Sequence, residues 1–166
     1  MFNAAPSPAG RIRTPRPSPP LSPAAPHGCR RVRWAVRPTA AAVPAVRASV
    51  RTVLDGWCVA SDRGEVLLLT VSELVTNAVR HAGAVTGRLY ATLTLGGGWL
   101  RFEVADGDPA LPCVDRGFDV DVEVDAEAEG GRGLMIVGLL AGEAGGGLVA
   151  FRAGTGKVVG VRVPAA

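Results

Sequence analysis

The chain has 166 residues, 48% of them hydrophobic but only 5% aromatic, which predicts one domain with a mainly aliphatic core. Its net charge of +3 is unevenly spread: nine arginines precede the first acidic residue, Asp55, and from there on nine basic residues stand against fifteen acidic ones, a net of −6. The body is therefore acidic, which excludes nucleic-acid binding through an overall basic surface, and no run of about 18 apolar residues offers a membrane span.

Residues 1–28 are rich in Pro, Ala, Ser and Arg, and ten of the thirteen prolines fall before Ala45. Such a composition buries too little apolar surface to fold, so it predicts a disordered tail, with the domain over 29–166. The tail lacks the apolar core of a signal peptide. It reads either as an idle extension or as a loose basic arm. "RVRWAVR" alternates Val32, Trp34 and Val36 against polar positions and predicts a strand ended by Pro38 and Thr39. A helix follows, with Pro44 in its first turn and an apolar stripe of Val43, Val46, Val50, Val53, Leu54 and Trp57. Ser61 or Asp62 is placed to cap a second helix, with Glu65 placed either to complete a capping box from Asp62 or to favour the N-terminal dipole, and Gly83 is placed to stop it. "RLYATLTL" and "WLRFEVAD", separated by Gly96 to Gly98, predict a hairpin. The span from Gly107 to Gly131 is strongly acidic, and "VDVEV" within it alternates like a short edge strand. "GRGLMIVGLLAG" predicts a third helix, and "LVAFRA" and "KVVGVRV" two closing strands around Gly154 to Gly156. The economical architecture is an α/β two-layer sandwich, a mixed, mostly antiparallel sheet covered on one face by about three helices.

The cysteines, Cys29, Cys58 and Cys113, are odd in number and show no CxxC spacing, so they suggest neither a disulfide framework nor a zinc site and fit a reducing cytoplasm.

The second helix contains "LTVSELVTNAVRHAG". Leu67, Val71, Leu74, Val75, Ala78 and Ala82 fall on one arc, and Glu73 and Asn77 lie roughly opposite, one turn apart. Taken alone, that is the solvated face of any surface helix. Two further motifs change its meaning. Asp106-Gly107 stands at the end of a predicted strand, 29 residues after Asn77, and Gly131-Arg132-Gly133-Leu134 opens a predicted helix 25 residues after Asp106.

In order, spacing and element, these three motifs resemble the N, G1 and G2 boxes of the GHKL (histidine kinase-like) ATPases. "SELVTNAVRHA" and "GRGLMIV" look most like the compact actinobacterial anti-sigma-factor serine-kinase branch. The resemblance spans roughly residues 31–163. It implies the GHKL-type (Bergerat) fold, ATP and Mg2+ as cofactors, and residues 108–130 as a lid over the nucleotide. Asn77 then supplies a neutral oxygen to magnesium beside triphosphate. Glu73 accepts a proton as general base. Asp106, with Gly107 freeing the turn, accepts a hydrogen bond from the adenine amino group, which a carboxylate selects over a carbonyl. Gly131, Arg132, Gly133 and Leu134 contact phosphates at a helix N-terminus, although Arg132 reads equally well as a solvent-facing side chain. The Asp-x-Gly pattern of the G1 box departs here, with Asp108 where a second glycine is expected. The threonine such proteins often carry on the last strand is replaced, with Val158 at the expected place and Thr155 three residues earlier. His81 reads either as a nucleotide or partner contact or as helix-end packing. "AGTGKV" is not a P-loop, since Phe151 and Val158 stand where a glycine and a Ser or Thr belong.

The implied activity is phosphoryl transfer to a serine on a small protein partner, an anti-sigma-factor antagonist. The alternative is a non-catalytic module that holds ATP and docks a sigma factor or another regulator. The resemblance predicts no direct nucleic-acid contact, and it leaves open a homodimer through the first strand and helix.

Overall fold

The computed structural model describes residues 28–112 and 131–166. Their elements follow the order β1 (Arg30–Val36), α1 (Ala42–Gly56), α2 (Ser61–Ala82), β2 (Leu89–Gly96), β3 (Trp99–Asp106), α3 (Gly131–Glu143), β4 (Gly147–Ala153) and β5 (Gly156–Pro164). The strands form one sheet in the order β1-β2-β3-β5-β4. Every neighbouring pair is antiparallel, so the described sheet is purely antiparallel rather than mixed.

Two hairpin turns set the registers. Gly97 and Gly98 both have positive φ, the backbone of a two-residue type I′ turn, and Gly154 supplies the positive φ of the β4–β5 turn. Strand alternation then divides the sheet into two faces. One face carries Leu89, Ala91 and Leu93, then Leu100, Phe102 and Val104, then Val159, Val161 and Val163, all buried. Against it pack Val46, Val50 and Leu54 of α1, Leu67, Val71, Leu74, Val75 and Ala78 of α2, and Leu134, Val137 and Ala141 of α3. Phe102 is the largest wholly buried side chain, and cutting such a residue to Ala costs about 3–5 kcal/mol. The opposite face is mixed: Arg33 stacks 4.2 Å from the Tyr90 ring centre and Arg162 4.7 Å from that of Trp99, while Val149 and Phe151 of β4 stand exposed.

Helix α2 is the spine, touching α1 on one side, α3 on the other, and β3 and β5 beneath. Arg47 of α1 fixes its position by donating from Nη1 to the Leu68 carbonyl (2.8 Å) and to Ser72 Oγ (2.7 Å). The expected capping box is not formed: the N-cap is Ala60, with no side-chain cap. Its members are engaged elsewhere, Glu65 with Arg51 across the helix pair (3.5 Å) and Asp62 with its neighbour Arg63 (3.8 Å). Gly83 ends the helix with φ of −56°, so it stops α2 without the left-handed turn that favours glycine there. The "VDVEV" strand, Cys113 and the tail through residue 27 lie outside the described residues. Among those described, Cys29 and Cys58 are unpaired, and no helix is long and apolar enough to cross a membrane.

Candidate functional site

The site begins where the core stripes run out. On β3 the buried face reads Leu100, Phe102, Val104 and then Asp106; on β5 it reads Val163, Val161, Val159 and then Lys157. Asp106 and Lys157 are direct register partners, so the sheet brings both charges to the same end of the same face. Lys157 is only 2% exposed and Asp106 8%. Lys157 Nζ lies 3.2 Å from Asp106 Oδ1, and it donates to Asp108 Oδ2 at 2.9 Å and to the Asp108 carbonyl at 3.2 Å.

The turn after β3 is braced by its carboxylates. The Asp108 amide donates to Asp106 Oδ1 (2.9 Å), and the Ala110 amide donates to Asp108 Oδ1 (3.0 Å). The Gly107 amide donates to Thr86 Oγ1 (2.7 Å) on the loop between α2 and β2. Asp108, which departs from the expected glycine, therefore closes the turn with its side chain, as Asx residues do. Its hydrogen bond from Lys157, followed by that from the Ala110 amide, holds its carboxyl below the usual carboxylate range, with a smaller contribution from His81.

Beside this strand end lies a cleft between α2 and α3. It is lined by Glu73, Asn77, Arg80 and His81 of α2 and by Gly133 and Leu134 of α3. Glu73 and Asn77, one turn apart, share this cleft and are half-buried, rather than standing on a solvated face. Gly133 approaches the Glu73 side chain so closely that a Cβ there would collide with Glu73 Oε2. A side chain at position 133 would have to push the flexible Glu73 carboxylate aside. His81 lines the cleft at the C-terminal end of α2.

The structure thus gathers Glu73, Asn77, Gly133 and Leu134 in one cleft and puts Asp106 and Gly107 at the neighbouring strand end. Gly131 opens α3 as expected. The side chain of Arg132 and lid residues 113–130 lie outside the described residues. Val158, expected near the ligand, instead faces away from the helices, opposite Ala105 and Phe151. The residue that faces the site is Lys157. The signal for it was present: in "KVVGVRV" the alternate positions Lys157, Val159, Val161 and Val163 share one face, and Lys157 is the single lysine of the chain. Thr76, which also lines the cleft, stands between Glu73 and Asn77 at a position the motif leaves open, and Thr86, which binds the Gly107 amide, belongs to no motif.

The class that this fold and cleft define is a nucleotide-binding one, and the family comparison agrees. Residues 36–161 match the model of the histidine kinase-like ATPase domain, and the chain belongs to that family. No curated protein matches it. Among solved structures it is similar to the RsbU and RsbW domains of Rv1364c from Mycobacterium tuberculosis, with a TM-score of 0.58 and 18% identity over 81% of this chain. That match spans only 32% of the other chain, so what is shared is the fold of one domain. A histidine kinase domain from the blue-light activated histidine kinase EL346 of Erythrobacter litoralis also matches, with 23% identity, a TM-score of 0.46, and coverage of 75% of this chain and 60% of that one.

Proposed function

We propose that the chain binds Mg-ATP and passes the γ-phosphoryl group to a serine or threonine hydroxyl of a small protein partner, an anti-sigma-factor antagonist. The observation that carries this reading is the cleft shared by Glu73, Asn77 and Gly133 beside the Asp106 strand end. Its chemistry fits magnesium and triphosphate. Asn77 offers an oxygen ligand without adding negative charge, and Gly133 leaves α3 free of a side chain where a backbone must approach a ligand closely. Asp106 offers an acceptor for an exocyclic amine.

In this reading Asn77 holds the metal, the α3 start with Gly131, Arg132, Gly133 and Leu134 holds phosphate oxygens, and Asp106 with Gly107 holds the base. Bound Mg-ATP supplies an activated phosphoryl group and the metal charge that stabilises transfer. Glu73 takes the proton of the partner's hydroxyl as its oxygen bonds to phosphorus, and ADP departs with the bridging oxygen.

The test is calorimetric titration of Mg-ATP and Mg-GTP, followed by a transfer assay with a candidate antagonist. Wild type is expected to bind ATP selectively, and Glu73→Ala to bind within about threefold of wild type while losing transfer. Folded wild type that takes up no ATP sinks the proposal.

A second reading has its own observation. The last strand presents Lys157 to the site where a threonine hydroxyl was expected, and Thr155 lies exposed in the β4–β5 turn. This favours a docking module that holds ATP and sequesters a sigma factor or another regulator without transfer. Selective ATP binding with no phosphorylated product from any candidate partner is its signature.

A further inference from the structure

We propose that Lys157 is a positioning residue for base selection: it holds the Asp106 carboxylate with Oδ1 engaged and Oδ2 left for the nucleobase, and so sets preference for a 6-amino over a 6-oxo purine. This rests on the reading of Asp106 as the base contact.

Three observations carry it. First, the lysine is committed to the oxygen cage of this turn. Its Nζ donates to Asp108 Oδ2 and to the Asp108 carbonyl at 2.9 and 3.2 Å and forms an ion pair with Asp106 Oδ1 at 3.2 Å. At 2% exposed, Lys157 acts on a ligand through Asp106. Second, the cage fixes which oxygen of Asp106 is available. Oδ1 receives both the lysine and the Asp108 amide, whereas Oδ2 has no partner among the described residues. Third, two carboxylates stand side by side at a strand end, one of them almost wholly buried, and the ammonium is the cation between them. Without it, only the Asp108 amide is left to fix which oxygen of Asp106 is turned toward a base, and a carboxylate freer to rotate presents its acceptor less well to an amine donor.

The residue type agrees. The chain has seventeen arginines and one lysine, and the lysine is here. A compact ammonium fits a three-oxygen cage around a point; a planar guanidinium does not.

The experiment compares ATP with inosine 5′-triphosphate, which carries a 6-oxo group, by calorimetry on the full chain and its variants. Wild type is expected to favour ATP by about a hundredfold, as a site built around one hydrogen bond does. In Lys157→Met that ratio is expected to fall below about fivefold, with ATP weakened and the inosine nucleotide unchanged or tighter. If Lys157→Met weakens both nucleotides equally, Lys157 is merely structural and the proposal is overturned. If Asp106→Asn keeps the wild-type ratio, the base-contact reading fails and this inference with it.

Should Lys157→Met not fold, wild type still decides the matter. Its single lysine gives one 15Nζ resonance. A shift of that resonance on saturation with ATP, larger than with the inosine nucleotide, supports the proposal. No shift with ATP bound overturns it.

Discussion

At one end of the site Asp106 closes β3 and Lys157 stands near the start of β5, locked in register and almost wholly buried. At the other end Glu73 and Asn77 project from α2 into the cleft toward the start of α3, half-exposed. The strand end is held by sheet hydrogen bonds and an ion-pair cage. At the helix end Leu134 and Val137 pack α3 against the core, and Arg63 of α2 donates to the Ala144 carbonyl just past α3 at 3.3 Å. Preorganisation is therefore concentrated where a base would be read, and adaptability where phosphates and a metal would be gathered. In a site of this design, changes at the strand end alter which nucleotide binds, and changes at the helix end alter how tightly any nucleotide binds.

That contrast can be broken from either side. The largest effect is expected from Asp106→Asn, which removes the carboxylate acceptor and also strips Lys157 of one counter-charge. ATP affinity should fall about a hundredfold and ATP-over-GTP preference should collapse, both read by calorimetry. Asn77→Ala comes next. Binding of Mg-ATP should weaken about thirtyfold while binding of ATP in EDTA stays the same, since only the metal-linked part is lost. Gly133→Ala brings a methyl group against the tip of Glu73, a half-exposed side chain that can swing aside. The melting temperature should change little, and ATP and GTP should weaken together by about tenfold or less. If Gly133→Ala changed selectivity instead, the division of labour between the two ends would be wrong.

The smallest effect concerns acid. Asp108 titrates below its ordinary value in the folded chain, chiefly through Lys157. A group whose folded pKa is depressed stabilises the fold fully above its unfolded pKa, about 3.9 for Asp, and loses that contribution as the pH falls through the lowered value. Thermal stability from this pair should therefore be flat across neutral pH and decline only below about pH 4. In Asp108→Asn that part of the acid decline should be absent.

Much of this was legible beforehand because two periods govern it. The 3.6-residue stripe of α1 and α2 and the two-residue alternation of β2, β3 and β5 gave the layers, and glycine-rich turns gave the hairpins. The N-box pair was legible because Glu73 and Asn77 share one helix face. What was missed depends on residues distant in sequence. The capping box failed because Glu65 answers Arg51 on another helix. Lys157 was passed over for Val158 because motif position was counted along the chain, whereas the face a residue takes in β5 follows from its register with β3. The function of Asp108 likewise depends on a lysine 49 residues away.

The two hairpin turns differ in a way that is useful for instrumentation. Around Gly97 and Gly98 there is open space, whereas at Gly156 the Asp106 carbonyl occupies the place a Cβ would take. A small fluorophore at position 155, exposed and two residues from Lys157, would sit on the same backbone that carries the charge cage. The same dye at position 97 would ride on a turn remote from it in the sheet. The pair forms a matched reporter and blank, in which a signal from the first and silence from the second locates an arriving ligand without any knowledge of its partner protein.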